Sequence, residues 1–381
     1  MTTLVQAKRQ PVVLLVSHDA SRTGAPLYFG ELLYSLDATH QPFRPLVLVT
    51  GYGPLLAKWQ STKLEIVIKE KRRAGSLALK AITRMAYLIM YVRLLAKSRP
   101  RVVYSNTIRN PLEVVLGRLA GARTLVHVHE GEQMIRRHAL SLRISSWFTT
   151  RYVCVSKYSA EAVKKLVKRE AAVIFNGILT GADVIENEPR SPISEWVVGM
   201  AGGIQPNKGH HIAIEALAKL LKGDSAVPVR LRIYGETENA SYRQSLDELI
   251  KRLGVDRNAE FCGSVAKPSD IYENVDIVVV ASFDESFSRV LLESFKYGRP
   301  VIASAVGGVL EIVRHEENGL LVQAGDAEGL ATALRRLMTD PALTRRLVQT
   351  AAVDVRKRFG LADTLARVRD EIRALLPQNE A

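Results

Sequence analysis

The chain has 381 residues, 47% hydrophobic and 24% charged, which excludes a disordered polymer and exceeds what one ordinary core serves, so two globular domains are expected. The net charge of +14 is lopsided: residues 1–190 hold 29 Lys and Arg against 13 Asp and Glu, and the remainder holds 24 against 26. The first half therefore calls for an anionic partner, with nucleic acid, an anionic membrane surface and a phosphorylated substrate all fitting, as does a basic solubilising surface.

Met1 to Gln10 lacks an apolar core, so no secretory leader is expected. The first strand is "VVLLVSH" (12–18). A helix from Pro26 to about Leu36 follows, with proline where a first turn tolerates it. "RPLVLVT" (44–50) is a second strand, ended by the turn "GYGP". A long helix from about Ser76 to Lys97 contains "MAYLIMYV" (85–92), far short of the roughly 20 apolar residues a membrane span needs. "RVVYSN" (101–106), "RTLVHVHE" (123–130), "RYVCVS" (151–156) and "AVIFNG" (172–177) continue the strand series. Ser156 can cap the helix after its strand.

The polar, proline-bearing "IENEPRSPIS" (185–194) reads as a linker. The pattern then restarts with "EWVVGMAG", "PVRLRIYG", "EFCGSV", "VDIVVVAS" and "RPVIASAVGG", each leading to a helix. Continuous Val/Ile/Leu strands alternating with helices define parallel sheets covered on both faces. The expected architecture is two doubly wound α/β domains. The first covers residues 1–184, the linker 185–194 and the second 195–360, with a last helix at about 361–378 packing back near the first domain. The two cysteines, Cys154 and Cys262, sit in apolar runs and read as free thiols of a reducing compartment.

In such sheets ligands bind beyond the carboxyl ends of strands. In the second domain, "GGIQPNKGHH" (202–211) offers close backbone approach at Gly203 and a cation, Lys208. It lacks the spacing of a Walker loop and could equally be an ordinary Gly/Pro turn. In "ASFDESFSRVLLE" (281–293), a helix starting near Phe287 would aim the N–H groups of Phe287, Ser288 and Arg289 at an anion such as a diphosphate. Glu285 sits on the loop and Glu293 two turns on, where a carboxylate could accept two hydroxyls of a sugar diol or pair with a nearby Lys or Arg. Gly307-Gly308 opens another helix. In the first domain, "SHDASRTGAP" (17–26) is a glycine loop carrying Arg22 and Gly24. His127 and His129 share a strand face, without a third metal ligand at helpful spacing.

Taken in order, "FDESFSRVLLESFKYGRPVIASAVGGVLEIV", "ENGLLV", "KGHHIAIEAL", "LRIYGE", "EFCGSV" and "SRTGAP" resemble the family-four retaining glycosyltransferases. The resemblance covers almost the whole chain. It implies the GT-B fold, two Rossmann-like domains facing a central cleft. It assigns Glu285 to the donor sugar, Glu293 to the nucleotide ribose, and Phe287, Ser288 and Arg289 to the diphosphate. Lys208 would neutralise the leaving diphosphate, His129 would lie near the sugar, and Gly24, Gly203, Gly307 and Gly308 would admit the donor closely. Glu285, Lys208 and His129 are the catalytic set this implies. Gly203 stands where the family often has an arginine, and Ser286 and Ser288 where it has glycines, so Lys208 would serve the diphosphate alone or with help from another cation such as Arg289.

The implied donor is a UDP- or GDP-sugar. The implied acceptor is a glycan or a polyprenyl-diphosphate-linked sugar in polysaccharide assembly, with no metal or other cofactor and no nucleic acid. A catalytically weak, basic membrane- or nucleic-acid-binding module on the same scaffold is the alternative. Lys69, Lys71, Arg72 and Arg73, beside the helix that begins near Ser76, oppose its dipole. With Arg22 they are assigned to the acceptor side and to an anionic membrane. The expected location is the cytoplasm, with peripheral contact at the inner face of the plasma membrane.

Overall fold

The computed structural model describes residues 10–69, 76–180, 195–222 and 228–377. The expected linker, 185–194, and the cations Lys71, Arg72 and Arg73 lie outside the described residues. The chain divides into two compact units, one of residues 1–175 and 365–381, the other of residues 176–364.

The first unit carries seven strands among the described residues: β1 (Val12–Ser17), β2 (Arg44–Val49), β3 (Glu65–Ile68), β4 (Val102–Ser105), β5 (Arg123–Val128), β6 (Arg151–Cys154) and β7 (Ala171–Val173). They form one parallel sheet in the order β3-β2-β1-β4-β5-β6-β7. β1 and β4 are buried at every position, as strands covered by helices on both faces must be. The helix Leu77–Ser98 starts where Ser76 accepts a hydrogen bond from the Leu79 N–H (3.3 Å), and the helix Lys157–Val167 starts where Ser156 accepts one from Ser159 N–H (3.1 Å). The chain returns to this unit at its end. Arg367 donates to the Val173 carbonyl (2.8 Å), and Arg151 pairs with Glu371 (2.5 Å).

The second unit holds β8 (Trp196–Ala201), β9 (Val229–Tyr234), β10 (Ala259–Gly263), β11 (Ile277–Val280), β12 (Val301–Ser304) and β13 (Leu320–Val322). They pair in parallel in the order β10-β9-β8-β11-β12-β13. The two sheets are the Rossmann-like pair that the resemblance to GT-B enzymes implied. β3 and β13, both at sheet edges, were not expected from the sequence.

The "ENGLLV" segment is a latch in this unit. Asn318 is buried. Its side-chain carbonyl accepts from Arg314 N–H (2.7 Å), and its amide donates to the Ile312 carbonyl (3.0 Å) and to Asp354 (2.7 Å) on the helix Pro341–Arg358. Arg314 closes the network on Asp354 at 2.8 Å. Removing Asn318 takes its partner from the Arg314 N–H and the Ile312 carbonyl and one bond from buried Asp354, which keeps Arg314. Asn318→Ala should cost about 2–3 kcal/mol of stability, read from denaturant unfolding, whereas substituting exposed Glu317 should move the midpoint little.

Candidate functional site

The order of the second sheet sends the chain from β8 to β9 on one side, while β11 joins β8 on the other. The loops after β8 and β11 therefore diverge, and the crevice between them is where open α/β sheets bind ligands. The loop after β8 runs through Gly202 and Gly203 into a short 3-10 turn, Pro206–Lys208, closed by Gly209 at φ 68°. A side chain at Gly209 would also put its Cβ 2.0 Å from the Ala281 carbonyl oxygen, at the end of β11. Glycine here lets the two loops touch. Phe283 N–H then donates to the Asn207 carbonyl (2.8 Å).

This packing delivers Lys208 to Glu285. Lys208 Nζ lies 2.7 Å from Glu285 Oε2, which also accepts from Ser282 Oγ at 3.1 Å. The Glu285 side chain is 11% exposed. Gly308, on the loop after β12, donates its N–H to the Glu285 carbonyl (2.8 Å), and a Cβ there would fall 1.9 Å from the Ser286 carbonyl oxygen. Gly307 (φ 46°) precedes it. Three loops thus meet on Glu285.

The next helix is Arg289–Lys296, with Ser288 as a cap that makes no side-chain hydrogen bond. It begins two residues later than the sequence suggested. The N–H groups of its open end are consequently those of Ser288, Arg289 and the residues after it, while Phe287 precedes the helix. The Ser288 side chain does not cap this end, and a helix N-terminus suits an anion.

Glu293, about one turn into the helix, is 17% exposed. Its Oε2 accepts from Tyr272 Oη (3.0 Å), and its Oε1 meets Arg289 Nη2 at 3.4 Å. Burial first, and the Glu293 charge second, push the Tyr272 hydroxyl well above its ordinary range, so it stays a donor. An arginine and a tyrosine thus hold the carboxylate. Arg289 is incompletely satisfied, because its Nε and Nη1 are buried with no partner. Two orphaned guanidinium donors at a helix start are costly and ask for an acceptor.

Glu238, which the sequence reading passed over, sits against Gly203. A Cβ on Gly203 would lie 1.8 Å from Glu238 Oε1. The place beside Gly203, where the resembling family often directs an arginine, is taken by this carboxylate. Burial raises its pKa and Lys208 pulls it back down. Its signal in the sequence was weak, two glutamates in "GETE" after a strand. Nearby, His211 stacks on Phe283 (centroids 5.7 Å apart, planes at 10°) and its Nδ1 lies 2.8 Å from Tyr242 Oη.

In the first unit, Arg22 is exposed, and Gly24 opens the helix Gly24–Ala38 with nothing within 4 Å of its missing Cβ. His129 is buried at the end of β5, its ring 4.2 Å from that of His127 and 5.5 Å from that of Tyr28. Burial lowers the His127 pKa to about 3, and its Nδ1 faces Tyr104 Oη at 2.7 Å. Glu130 is a buried tie, accepting from Thr107 Oγ1 and from the His129 N–H (3.0 Å). Lys69 lies over the Tyr87 ring, 4.2 Å from its centroid, and so packs against the helix Leu77–Ser98. The second unit thus gathers Gly203, Lys208, Glu285, Phe287, Ser288, Arg289, Glu293, Gly307 and Gly308 around one sheet end, while Arg22, Gly24, Lys69 and His129 belong to the first.

A parallel sheet with a glycine-lined crevice, a lysine–glutamate pair and an open helix end is the doubly wound α/β class of domain, with its ligand crevice at the carboxyl ends of the strands. Residues 183–354 match the family described as Glycosyl transferases group 1, a match that falls within the second unit. The lipopolysaccharide core biosynthesis glycosyltransferase LpsE of Rhizobium meliloti is 34% identical over 200 residues, 52% of this chain and 56% of that protein. A D-inositol 3-phosphate glycosyltransferase of Rhodococcus opacus is 37% identical over 162 residues, 42% of this chain and 36% of that protein. The chain thus spans about half or less of these curated relatives. The fold matches more completely. HepE of Anabaena, solved with UDP-glucose, superposes with TM-score 0.80 at 20% identity over 95% of this chain and 99% of that one. Sucrose-phosphate synthase of Thermosynechococcus elongatus gives 0.75 at 19% over 96% and 99%.

Gly308→Ala should force the Ser286 carbonyl away and cost about 1–3 kcal/mol, the range for overpacking a tight contact. Thermal unfolding checks this, with Gly24→Ala as the comparison, a glycine without positive φ and with nothing within 4 Å of its missing Cβ, where the midpoint should not fall.

Proposed function

We propose that this protein is a retaining, metal-independent glycosyltransferase. It moves a sugar, a hexose or close relative, from a UDP- or GDP-sugar to a glycan or polyprenyl-diphosphate-linked acceptor. The setting is the assembly of cell-surface polysaccharide or glycoconjugate, on the cytoplasmic face of a membrane. The observation that carries the reading is the Lys208–Glu285 pair at the switch point of the second sheet, beside an uncapped helix end and the orphaned donors of Arg289.

The chemistry follows from charge. The bond from the anomeric carbon to the diphosphate oxygen breaks, the acceptor oxygen bonds that carbon, and the sugar passes through an oxocarbenium-like state. The leaving diphosphate gains negative charge, which preorganised donors must meet. Lys208, the Arg289 guanidinium and the first-turn N–H groups supply positive charge that a metal would otherwise bring. Glu285, held by Lys208 and Ser282, takes the sugar hydroxyls. Glu293 takes the ribose diol, exchanging its bond from Arg289 for two hydroxyl donors and releasing Arg289 toward the diphosphate. In the first unit the reading assigns His129 and Gly24 to the sugar and acceptor. The kinship with LpsE, named for lipopolysaccharide core biosynthesis, supports a glycan or lipid-linked acceptor. A second reading, a binding protein with little activity, draws support from the Glu238 carboxylate beside Gly203, an anion where a diphosphate clamp would help.

A thermal-shift screen of nucleotide sugars tests the donor assignment. A true donor at 100 times its dissociation constant should stabilise by about 2.7 kcal/mol, and no shift with any UDP- or GDP-sugar would end it. Glu293→Gln should weaken UDP or GDP binding by about 1–3 kcal/mol, whereas Glu285→Gln should spare the free nucleotide and reduce turnover. Equal losses of nucleotide and nucleotide-sugar binding in both variants would refute this division of roles.

Lys208→Ala should lower turnover by about 10²–10³-fold, seen as release of UDP or GDP. Near-normal turnover would mean that Arg289 alone serves the leaving group.

A further inference from the structure

Three neighbouring helices of the first unit leave large apolar side chains in solvent. On Leu77–Ser98, Ile82, Met85, Ile89 and Val92 recur at three- and four-residue spacing and are about half exposed, while Tyr87, Tyr91 and Leu95 turn inward. On Pro111–Leu119, Leu112 and Leu119 are exposed and Val114 is buried. On Ala139–Ser146 and just beyond it, Leu140 and Trp147 are 74% and 87% exposed, Ile144 lies between them, and Leu142 is buried.

These helices lie side by side on one face of the sheet. Tyr91 and Leu95 pack with Leu14 and Val103, which are in register, and Val114 and Leu142 pack with Val126 and Tyr152, also in register. Val103 pairs with Thr124, two residues before Val126, so both clusters occupy the same face. The helix Pro111–Leu119 packs against both of the others, and Tyr91 Oη donates to the Glu113 carbonyl (2.9 Å).

The charge on this surface has one sign. Leu77–Ser98 contains no Asp or Glu. The single carboxylate on the three helices, Glu113, is buried and accepts from Tyr87 Oη. Lys80, Arg84, Arg93, Lys97, Arg118 and Arg143 are exposed. A second copy would set cations against cations, which disfavours self-association. A contiguous apolar surface is rare on a monomer, and apolar residues with a tryptophan among cations suit the headgroup region of an anionic bilayer.

We propose that this three-helix face seats the first unit on an anionic lipid bilayer, with Leu140, Ile144 and Trp147 entering the headgroup region. The proposal deepens the reading of a membrane-proximal acceptor and rests on it for its biological sense. It does not depend on the basic segment 69–73.

The test uses the full chain and vesicles of phosphatidylcholine alone or with about 30% phosphatidylglycerol. The wild type should sediment with the anionic vesicles, and its tryptophan emission should shift to the blue. Trp147 is the reporter, because Trp59 is already buried and Trp196, half-buried at the start of β8, belongs to the second unit and serves as an internal control through the Trp147→Ser variant. Leu140→Ser/Ile144→Ser/Trp147→Ser should reduce vesicle partitioning at least about tenfold, with circular dichroism and melting unchanged because all three sites are exposed. Arg93→Ser/Arg143→Ser should remove part of the salt-sensitive binding, by a few-fold. Equal partitioning of the wild type and the triple apolar variant overturns the proposal, as does no binding at low salt. A dimer in sedimentation velocity that the triple variant dissociates overturns it in favour of a second copy. UDP and GDP calorimetry on the same preparations separates the two readings: vesicle binding without nucleotide binding sinks the donor assignment and leaves the membrane face standing, and the reverse sinks only the face.

Discussion

The contact between Lys208 and Glu285 organises the second unit's site. It spans the point where the sheet's connections diverge, so it joins two loops that the topology would otherwise send apart. Such a partly buried pair contributes little net stability, because desolvation offsets much of the Coulomb attraction. Its value is positional. It fixes a cation and a carboxylate within hydrogen-bond distance of each other at a strand end. The glycines at 209 and 308 follow from the same demand, since each lies where a side chain would strike the backbone of the neighbouring loop.

A related economy governs Glu293. A carboxylate on a largely apolar helix needs partners in every state of the molecule. Tyr272 and Arg289 provide them in the structure. The pair is imperfect, since the Arg289 contact is long and two of its N–H groups face no acceptor. Proteins tolerate such incompleteness chiefly where function needs it. An arginine that is easily released from its carboxylate can follow an incoming anion.

The alternation of apolar runs with helices revealed both doubly wound sheets, because strands buried on both faces must be apolar throughout. The two strands missed, β3 and β13, are short edge strands with partly buried residues, so that signal is dilute there. Glu285, Glu293 and Lys208 were visible from strand ends and motif spacing. Glu238 and Tyr272 were not, because their roles arise from packing between segments distant in the chain. His127, one of the two histidines that could have suggested a metal, is a core residue bonded to Tyr104. Lys69, grouped by sequence with a basic cluster, is occupied by the Tyr87 ring. Ring contacts of this kind leave no mark on local charge patterning.

The Asn318 latch has a consequence for motion. Its amide and carbonyl join the 312–318 turn to Asp354, one turn from the end of the helix Pro341–Arg358. Neither the turn nor the helix can open alone without stranding buried polar groups. The two should behave as one cooperative unit, their amides exchanging with solvent together and at a higher opening free energy than the edge strand β10 on the far side of the sheet. The segment after the crevice is in this sense a clamp on the side of β12 and β13, holding that edge of the unit together as one piece.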